Sequence, residues 1–173
     1  HIREYISSVY DEVEEAMQSP QDVFGIPTGF PDIDRVTYGL QRGEKLVLSG
    51  EPGVGKSVLA AQILINAAEA GHPGVLYELE MSGRQVVRRA LSASSKQTGA
   101  GIPTQRMRQG KLSEDEVEAF AQAVERMSCL PIWISDASDL TTAEMRADLM
   151  RLIDQHGVEL VVVDYEGLLG DEP

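Results

Sequence analysis

One short segment constrains this chain more than any other feature. Residues 50–57 read Gly-Glu-Pro-Gly-Val-Gly-Lys-Ser and match the pattern GxxxxGK[ST]. The apolar run Leu46-Val47-Leu48 precedes the segment, and residues 58–68 follow it with apolar side chains at helical spacing. A strand, a glycine-rich turn and a helix are the context in which this pattern forms a phosphate-binding loop. The sequence therefore predicts such a loop between a strand and a helix.

The residue types in the loop indicate how it would bind a nucleotide. Gly50, Gly53 and Gly55 allow tight turns whose N–H groups point inward, and the start of the next helix adds its positive dipole end. Lys56 is expected to reach the β- and γ-phosphates of ATP, and the Ser57 hydroxyl to ligate Mg²⁺. The predicted nucleotide-binding residues of this segment are Gly50, Glu51, Pro52, Gly53, Val54, Gly55, Lys56, Ser57 and Val58.

Length and composition favour a single α/β domain with an N-terminal appendage. The chain has 173 residues, of which 42% are hydrophobic and 25% charged, as in ordinary globular proteins. Its single cysteine, Cys129, cannot form an internal disulfide, which predicts a reducing cytoplasmic compartment. Neither a signal peptide nor an apolar stretch of membrane-spanning length is visible in the sequence, so no membrane partner is expected.

The charge of the chain argues against a broad nucleic-acid-binding surface. The formal net charge is −13, whereas such surfaces neutralise phosphates with lysine and arginine. Basic residues do cluster, but a solvated helix face or an intersubunit patch explains such clusters more often than DNA binding does. The clustered residues are Arg84, Arg88, Arg89 and Lys96, and then Arg106, Arg108 and Lys111.

Strand and helix patterns alternate along the rest of the chain, which predicts a mostly parallel sheet flanked by helices. Residues 2–17 form an amphipathic pattern that ends at Ser19-Pro20. This helix could pack on its own domain or, through the linker that follows, dock on a neighbouring subunit. We therefore divide the chain into an N-terminal helix with its linker over residues 1–20 and a nucleotide-binding α/β domain over 21–173. Further strands are predicted at 75–80, 130–135 and 160–164, and helices at 31–36, 82–94, 113–127 and 141–156.

Three acidic residues are the candidates that complete the site. Asp164 ends a continuous apolar run, which predicts a buried strand. Its carboxylate should then lie at the edge of the sheet where ligands bind and could ligate Mg²⁺. Alternatively, Asp164 could cap the turn that follows the strand. Glu78 and Glu80 lie two residues apart on a predicted strand and so should share a face, where either could orient a water or both could be solvated. His72 and His156 are expected at helix ends rather than in catalysis.

Several motifs together resemble the C-terminal ATPase domain of the DnaB family of replicative DNA helicases, a branch of the RecA-like P-loop NTPases. Two of them, Leu79-Glu-Met-Ser82 and the segment 106–116, are more specific than the phosphate loop and favour this family over KaiC-like or RadA-like relatives. The other matching segments are 25–37, 131–135 and 161–165. The resemblance covers most of residues 20–169.

The resemblance implies roles for particular residues. It assigns Glu80 as the catalytic glutamate, alongside Lys56, and Asp164 as the Walker B aspartate. It also implies that residues 2–17 are the linker helix that packs on the adjacent subunit of a hexameric ring. Family members hydrolyse ATP at subunit interfaces and translocate along single-stranded DNA, and a helicase loader and primase are expected partners in a bacterial or phage-infected cytoplasm.

The chain also departs from the family pattern. Tyr38 replaces a small residue, and residues 165–169 differ from the usual sequence after Asp164. The family's pore loops, sensor strand and trans-acting basic finger would follow Pro173, so the fold is expected to be incomplete at its C-terminus, with two apolar strands left unpaired. Such a chain should be a weak ATPase without unwinding activity. Alternatives are an interaction module that binds nucleotide and hydrolyses little, and a phosphate-loop kinase.

Overall fold

The computed structural model of the protein describes residues 2–18, 24–97, 101–165, 167 and 170. The chain forms two compact units, residues 1–45 and residues 46–173. The predicted boundary at residue 20 lies outside the described residues and stays a prediction. In chain order the described elements are α1 (Ile2–Gln18), α2 (Pro31–Thr37), α3 (Lys56–Glu69), β1 (Gly74–Glu78), α4 (Gly83–Gln97), α5 (Thr104–Gln109), α6 (Glu114–Ser128), β2 (Ile132–Ser135), α7 (Thr142–His156) and β3 (Leu160–Asp164).

The first unit begins with the predicted amphipathic helix, α1. Its apolar side chains recur every three or four residues and lie on one stripe of the helix. All of them are more than half exposed, so the stripe is an uncovered apolar surface. The residues of this stripe are Ile2, Ile6, Val9, Val13 and Met17.

A buried carboxylate organises the remainder of the first unit. Asp34 is 7% exposed, and its Oδ1 accepts hydrogen bonds from the Thr28 amide at 2.8 Å and the Thr28 hydroxyl at 2.7 Å. Its Oδ2 accepts a third from the Gly29 amide at 3.1 Å. The predicted helix α2 starts at a proline and ends at Thr37, and Tyr38, its C-cap, takes the left-handed φ of 57°. The tyrosine that departs from the family pattern is therefore a helix cap.

The second unit contains, within the described residues, a three-stranded parallel sheet in the order β2-β1-β3. Side chains alternate between its two faces. Tyr77 on one face clusters with Leu152 of α7, and Leu76 on the other face clusters with Leu64 of α3 and Val86 of α4. Helices cover both faces, so the predicted α/β fold with a parallel sheet is confirmed.

Two strand predictions are wrong. Residues 46–48 form no strand in the described part of the chain, and Leu46 and Val47 are 50% and 67% exposed. β3 is not buried on both faces, because it pairs with β1 alone among the described strands and Val161 is 37% exposed. An apolar run forms a buried strand only where a neighbouring strand satisfies its backbone groups. Neither segment has such a neighbour on its free side among the described residues.

Helices α6 and α7 have caps that need only a few adjacent residues. Ser113 and Thr141 each accept a hydrogen bond from the backbone three residues on and form capping boxes with Glu116 and Glu144, and Gly157 ends α7 with a φ of 66°. The short helix α5 was missed, although a proline precedes it and a glycine ends it. Every described helix is either too short or too polar to cross a lipid bilayer.

Candidate functional site

The phosphate-binding loop leads directly into α3, as its motif predicts. Gly53 and Gly55 have φ angles of 82° and 103°, which residues with a side chain rarely adopt. α3 begins at Lys56, and its first helical hydrogen bond runs from the Leu59 amide to the Gly55 carbonyl at 2.9 Å. The amides in the turn before it have no acceptor within the helix, and the helix dipole adds partial positive charge there. This end of α3 therefore has the geometry of an anion site.

The side chain of Lys56 folds back over the loop. Its Nζ donates hydrogen bonds to the carbonyl oxygens of Gly50 and Glu51, both at 2.9 Å. These bonds hold the ammonium group at the mouth of the loop instead of letting it extend into solvent. Phosphate oxygens are stronger acceptors than peptide carbonyls for this group. The lysine is thus held close to the loop that would bind phosphate and can exchange these acceptors for a phosphate.

Ser57 lies one residue further along α3 and borders a small cavity. The cavity has a volume of about 30 Å³ and is also lined by Glu78, Met81 and Arg89. A space of this size holds about one water molecule. The cavity therefore places the hydroxyl that is the predicted Mg²⁺ ligand on the same side of the sheet as the acidic end of β1.

Asp164 occupies the position that the sequence predicts, at the carboxyl end of β3. It is the register partner of Glu78 at the end of β1. Its strand neighbour Val162 contributes to the cluster that contains Leu64 of α3, so the alternation of side chains places Asp164 on the α3 face. The Walker B candidate and the phosphate-loop helix therefore lie on the same face of the sheet.

One oxygen of Asp164 is buried and lacks a hydrogen-bond partner in the part of the chain that the structure describes. Asp164 Oδ2 has no hydrogen-bond donor among the residues that the structure describes. A buried carboxylate oxygen costs free energy unless a donor, a water or a cation satisfies it. A carboxylate oxygen of this kind is a suitable ligand for Mg²⁺, which binds one or two carboxylates and completes its coordination shell with phosphate oxygens and water. Ser57 and Asp164 are the residues that would hold the ion.

Glu78 is buried although it carries a titratable carboxyl group. It is 2% exposed, and its Oε1 accepts hydrogen bonds from the Met81 amide at 3.0 Å and the Glu80 amide at 3.3 Å. Burial is the main cause that raises its pKa, and the negative charge of Asp164 adds to the rise, while the two amides partly oppose it. The carboxyl group of Glu78 thus accepts hydrogen bonds from the backbone of the bend that follows β1.

Glu80 has a different environment from Glu78, so the prediction that the two share a face is wrong. β1 ends at Glu78, two residues earlier than predicted, and Glu80 lies exposed in the bend that follows. The alternation of a strand no longer applies once the strand has ended. The strand ends before the bend that leads into α4, which starts at Gly83. Glu80 stays the predicted catalytic residue, and its exposure leaves it free to meet a nucleotide or a neighbouring subunit.

The remaining candidates have structural partners. His72 Nδ1 lies 2.8 Å from Glu159 Oε2, and the rings of Trp133 and His156 stack with their centroids 4.5 Å apart. Trp133 also packs against the core cluster on the α7 face. These contacts account for the two histidines and the tryptophan without a role in the site.

The basic residues divide between different environments. Arg106 forms an ion pair of 2.6 Å with Glu116, next to the capping box of α6. Arg84 and Arg88 instead line an open groove of about 380 Å³. Apolar side chains from α4, α5 and α6 form the remainder of this groove, namely Val87, Leu91, Met107 and Phe120. We refer to it as the α4–α6 groove.

Comparison with known proteins identifies the family. Residues 25–172 match the model of the DnaB-like helicase C-terminal domain. The chain is 32% identical over 170 residues to the replicative DNA helicase DnaC of Bacillus subtilis and 36% identical over 172 residues to the replicative DNA helicase DnaB of a Nostoc species. These alignments cover 98% of this chain but only 36% and 19% of the two relatives.

Solved structures agree with this assignment. A solved ATPase domain superposes with a TM-score of 0.85 at 25% identity, over 100% of this chain and 59% of that one. A DnaB-like replicative helicase, described together with its interactions with primase, superposes with a TM-score of 0.84 at 22% identity, which shows the shared fold, over 100% of this chain and 40% of that one. The phosphate loop, the parallel sheet and the family match lead to one assignment: the chain belongs to the family of DnaB-like helicase C-terminal domains.

Proposed function

We propose that this chain is the ATP-binding and hydrolysing motor portion of a DnaB-like replicative helicase, which couples hydrolysis to translocation along single-stranded DNA and to duplex unwinding as a hexameric ring. One observation carries the proposal. The phosphate-binding loop opens α3, and Oδ2 of Asp164, which has no donor among the residues described, lies on the sheet face that α3 covers. This is the arrangement that a magnesium-bound triphosphate requires.

The residues of the site divide the work of phosphoryl transfer. Amides of the loop and the first turn of α3 bind phosphate oxygens, and Lys56 neutralises the β- and γ-phosphates. Ser57 and Asp164 hold Mg²⁺, which when bound neutralises charge on the phosphates. Glu80, exposed beside this edge, orients the attacking water. The chemistry needs no covalent intermediate, so positioning accounts for most of the rate.

Self-association is part of the proposal because the apolar stripe of α1 is exposed. More than half the surface of each of its side chains is accessible, and acidic residues outnumber arginine on the helix. The α4–α6 groove combines apolar side chains with Arg84 and Arg88 and so complements such a helix. We propose that α1 docks in this groove of a neighbouring copy. An amphipathic helix in an apolar groove is a common mode of recognition.

Further partners follow from the same proposal. Single-stranded DNA, a helicase loader and a primase are proposed partners of the longer protein, and the cytoplasm is its proposed location. A helicase of similar fold has been described in contact with primase, which supports the last of these partners. The chain spans about a third of the length of its Bacillus relative, so these activities concern the longer protein.

The test measures Mg·ATP binding by calorimetry and ATP turnover as a function of protein concentration. The parent is compared with Val9→Asp, which places a charge in the apolar stripe, and with Asp11→Asn on the same helix as a matched control. We expect turnover per chain to rise with concentration for the parent and the control. For Val9→Asp it should stay at the low, dilute value while Mg·ATP affinity is unchanged.

The outcomes separate the candidate functions. Mg·ATP binding together with turnover that depends on concentration supports the motor. Tight binding without turnover at any concentration indicates a nucleotide-binding interaction module, and a phosphorylated small-molecule product indicates a kinase. No heat of association with Mg·ATP would contradict the proposal altogether.

A further inference from the structure

Glu78 forms hydrogen bonds to the bend that contains Glu80, and Glu78 has no assigned role in the proposed phosphoryl transfer. The bend begins at Leu79, whose amide donates to the carbonyl oxygen of Asp164 at 2.8 Å. The next two amides, of Glu80 and Met81, donate to Oε1 of Glu78 at 3.3 and 3.0 Å. Three successive amides are therefore bound to the ends of β1 and β3. We call these three hydrogen bonds the bend clamp.

The bend clamp adds backbone hydrogen bonds at Glu80, the exposed residue between the buried Leu79 and Met81, which packs against the core. Glu80 is exposed, so packing does little to hold its side chain, whereas Glu78 is 2% exposed and anchored in the sheet. The hydrogen bonds from the Glu80 and Met81 amides therefore join the backbone of the bend to a side chain that the sheet holds in place. The side chain of Glu78 thus restricts the position of the Glu80 backbone through these hydrogen bonds.

The surroundings of Glu78 disfavour its charged form. A buried carboxyl group is unfavourable, and Asp164 places a second negative charge beside it. The two backbone amides that donate to Oε1 offset part of this cost. The feature that bears on positioning is this pair of hydrogen bonds, which the amide oxygen of a glutamine could also accept.

We infer that Glu78 is a positioning residue for Glu80, which it holds at the edge of the nucleotide site through the amides of Glu80 and Met81. The inference rests on the proposed function, because Glu80 needs positioning only if it acts on a nucleotide-bound water. Glu78 does not touch the reacting atoms in this scheme. It acts by restricting where the carboxylate of Glu80 can lie.

The experiment compares four proteins: the parent, Glu78→Ala, Glu78→Gln and the control Glu116→Ala. Glu116 is also a buried glutamate that accepts from a backbone amide, at 2.8 Å from Ser113, and α6 places it outside the predicted site residues. Each protein is assayed for kcat and KM with Mg·ATP, for Mg·ATP affinity by calorimetry, and for hydrogen exchange at the amides of Glu80 and Met81. Glu78→Ser is measured in addition, as a replacement if Glu78→Ala does not fold.

The expected pattern distinguishes positioning from general stabilisation. Glu78→Ala should lower kcat by about tenfold to a hundredfold, as a misplacement of about 1 Å does, with Mg·ATP affinity within about twofold of the parent. Its two amides should exchange faster. Glu78→Gln keeps a carbonyl acceptor of the same length and should recover most of kcat and of the protection. Glu116→Ala should lose stability without a change in kcat.

Other results overturn the inference. If Glu78→Ala exchanges faster at both amides but keeps the parent's kcat, the bend clamp is structural only. If Glu78→Gln is as slow as Glu78→Ala, the charge of Glu78 matters rather than its hydrogen bonds. Unchanged exchange in Glu78→Ala contradicts the bend clamp itself, whereas a parent without any turnover contradicts the proposed function.

Discussion

Glu78 and Asp164 are register partners at the carboxyl ends of two neighbouring parallel strands. The two carboxyl groups have similar chemistry but different hydrogen-bonding environments. Glu78 Oε1 accepts hydrogen bonds from two backbone amides, whereas Asp164 keeps a buried oxygen without a donor among the described residues. Hydrogen bonding therefore separates an acid that braces the backbone from an acid that can accept a cation.

Lys56→Ala should weaken Mg·ATP binding. Lys56 Nζ is held at the loop by two carbonyl oxygens and would exchange them for phosphate oxygens, and a charged hydrogen bond contributes about 1.5–3 kcal/mol, or roughly tenfold to a hundredfold in affinity. Calorimetry with Mg·ATP measures the loss. Lys111→Ala removes an exposed lysine elsewhere and should bind as the parent does. Equal affinity of Lys56→Ala and the parent would contradict the assignment of the loop.

Asp164→Asn should have opposite effects on binding and on stability. The substitution removes the candidate Mg²⁺ ligand, so magnesium should no longer enhance nucleotide binding. It also removes the negative charge next to Glu78, so the free energy of unfolding without magnesium should rise by about 1 kcal/mol. Urea denaturation in EDTA and in Mg·ATP measures both effects. A variant that is destabilised in EDTA would show that the two carboxyl groups do not repel.

The pH dependence of stability should carry a signature of Glu78. Its pKa is raised above the usual 4.5 in the folded protein, chiefly by burial, so the folded state binds this proton more tightly than the unfolded state. The stabilisation is complete below pH 4.5 and is lost as the pH rises through the folded pKa. Glu78→Gln should remove this contribution. The measurement is the free energy of unfolding of parent and variant, without nucleotide or magnesium, as the pH rises from below 4.5 through the folded pKa.

Glu144 provides the control of opposite sign. Hydrogen bonds from the amide and hydroxyl of Thr141 lower its pKa below the usual 4.5. Its contribution to stability is therefore present above pH 4.5 and is lost as the pH falls through the folded pKa. Glu144→Gln should change the stability curve only on the acid side. Identical curves for Glu78→Gln and Glu144→Gln would contradict both assignments.

Gly74 and Leu64 should show strong energetic coupling. A Cβ placed on Gly74 would collide with Cδ1 of Leu64 and lie 3.2 Å from the Leu160 carbonyl oxygen. Gly74→Ala should cost about 1–3 kcal/mol through overpacking, and Leu64→Ala about 2–5 kcal/mol through the cavity it leaves. The double variant should lose less than the sum, because the added methyl fills part of that cavity. Urea denaturation of the three variants tests this, and additive losses would exclude the collision as the cause.

The sequence predicted best what depends on neighbours along the chain. The phosphate loop and the starts of α6 and α7, near the predicted positions, each require only a few adjacent residues. The short helix α5 was missed because its six residues contain too little periodicity to recognise. The apolar run at 46–48 was predicted as a strand because hydrophobicity alone does not reveal whether a partner strand is present.

By itself, then, the sequence determined the phosphate-binding loop, most of the helices and strands and the family, because those follow from local backbone preferences and from motifs. Only the tertiary structure decided which of two glutamates is buried, where β1 ends, and that Asp164 Oδ2 has no donor in the described part of the chain. Burial and hydrogen bonding depend on which strands and helices lie side by side. Spacing along the chain does not contain that information.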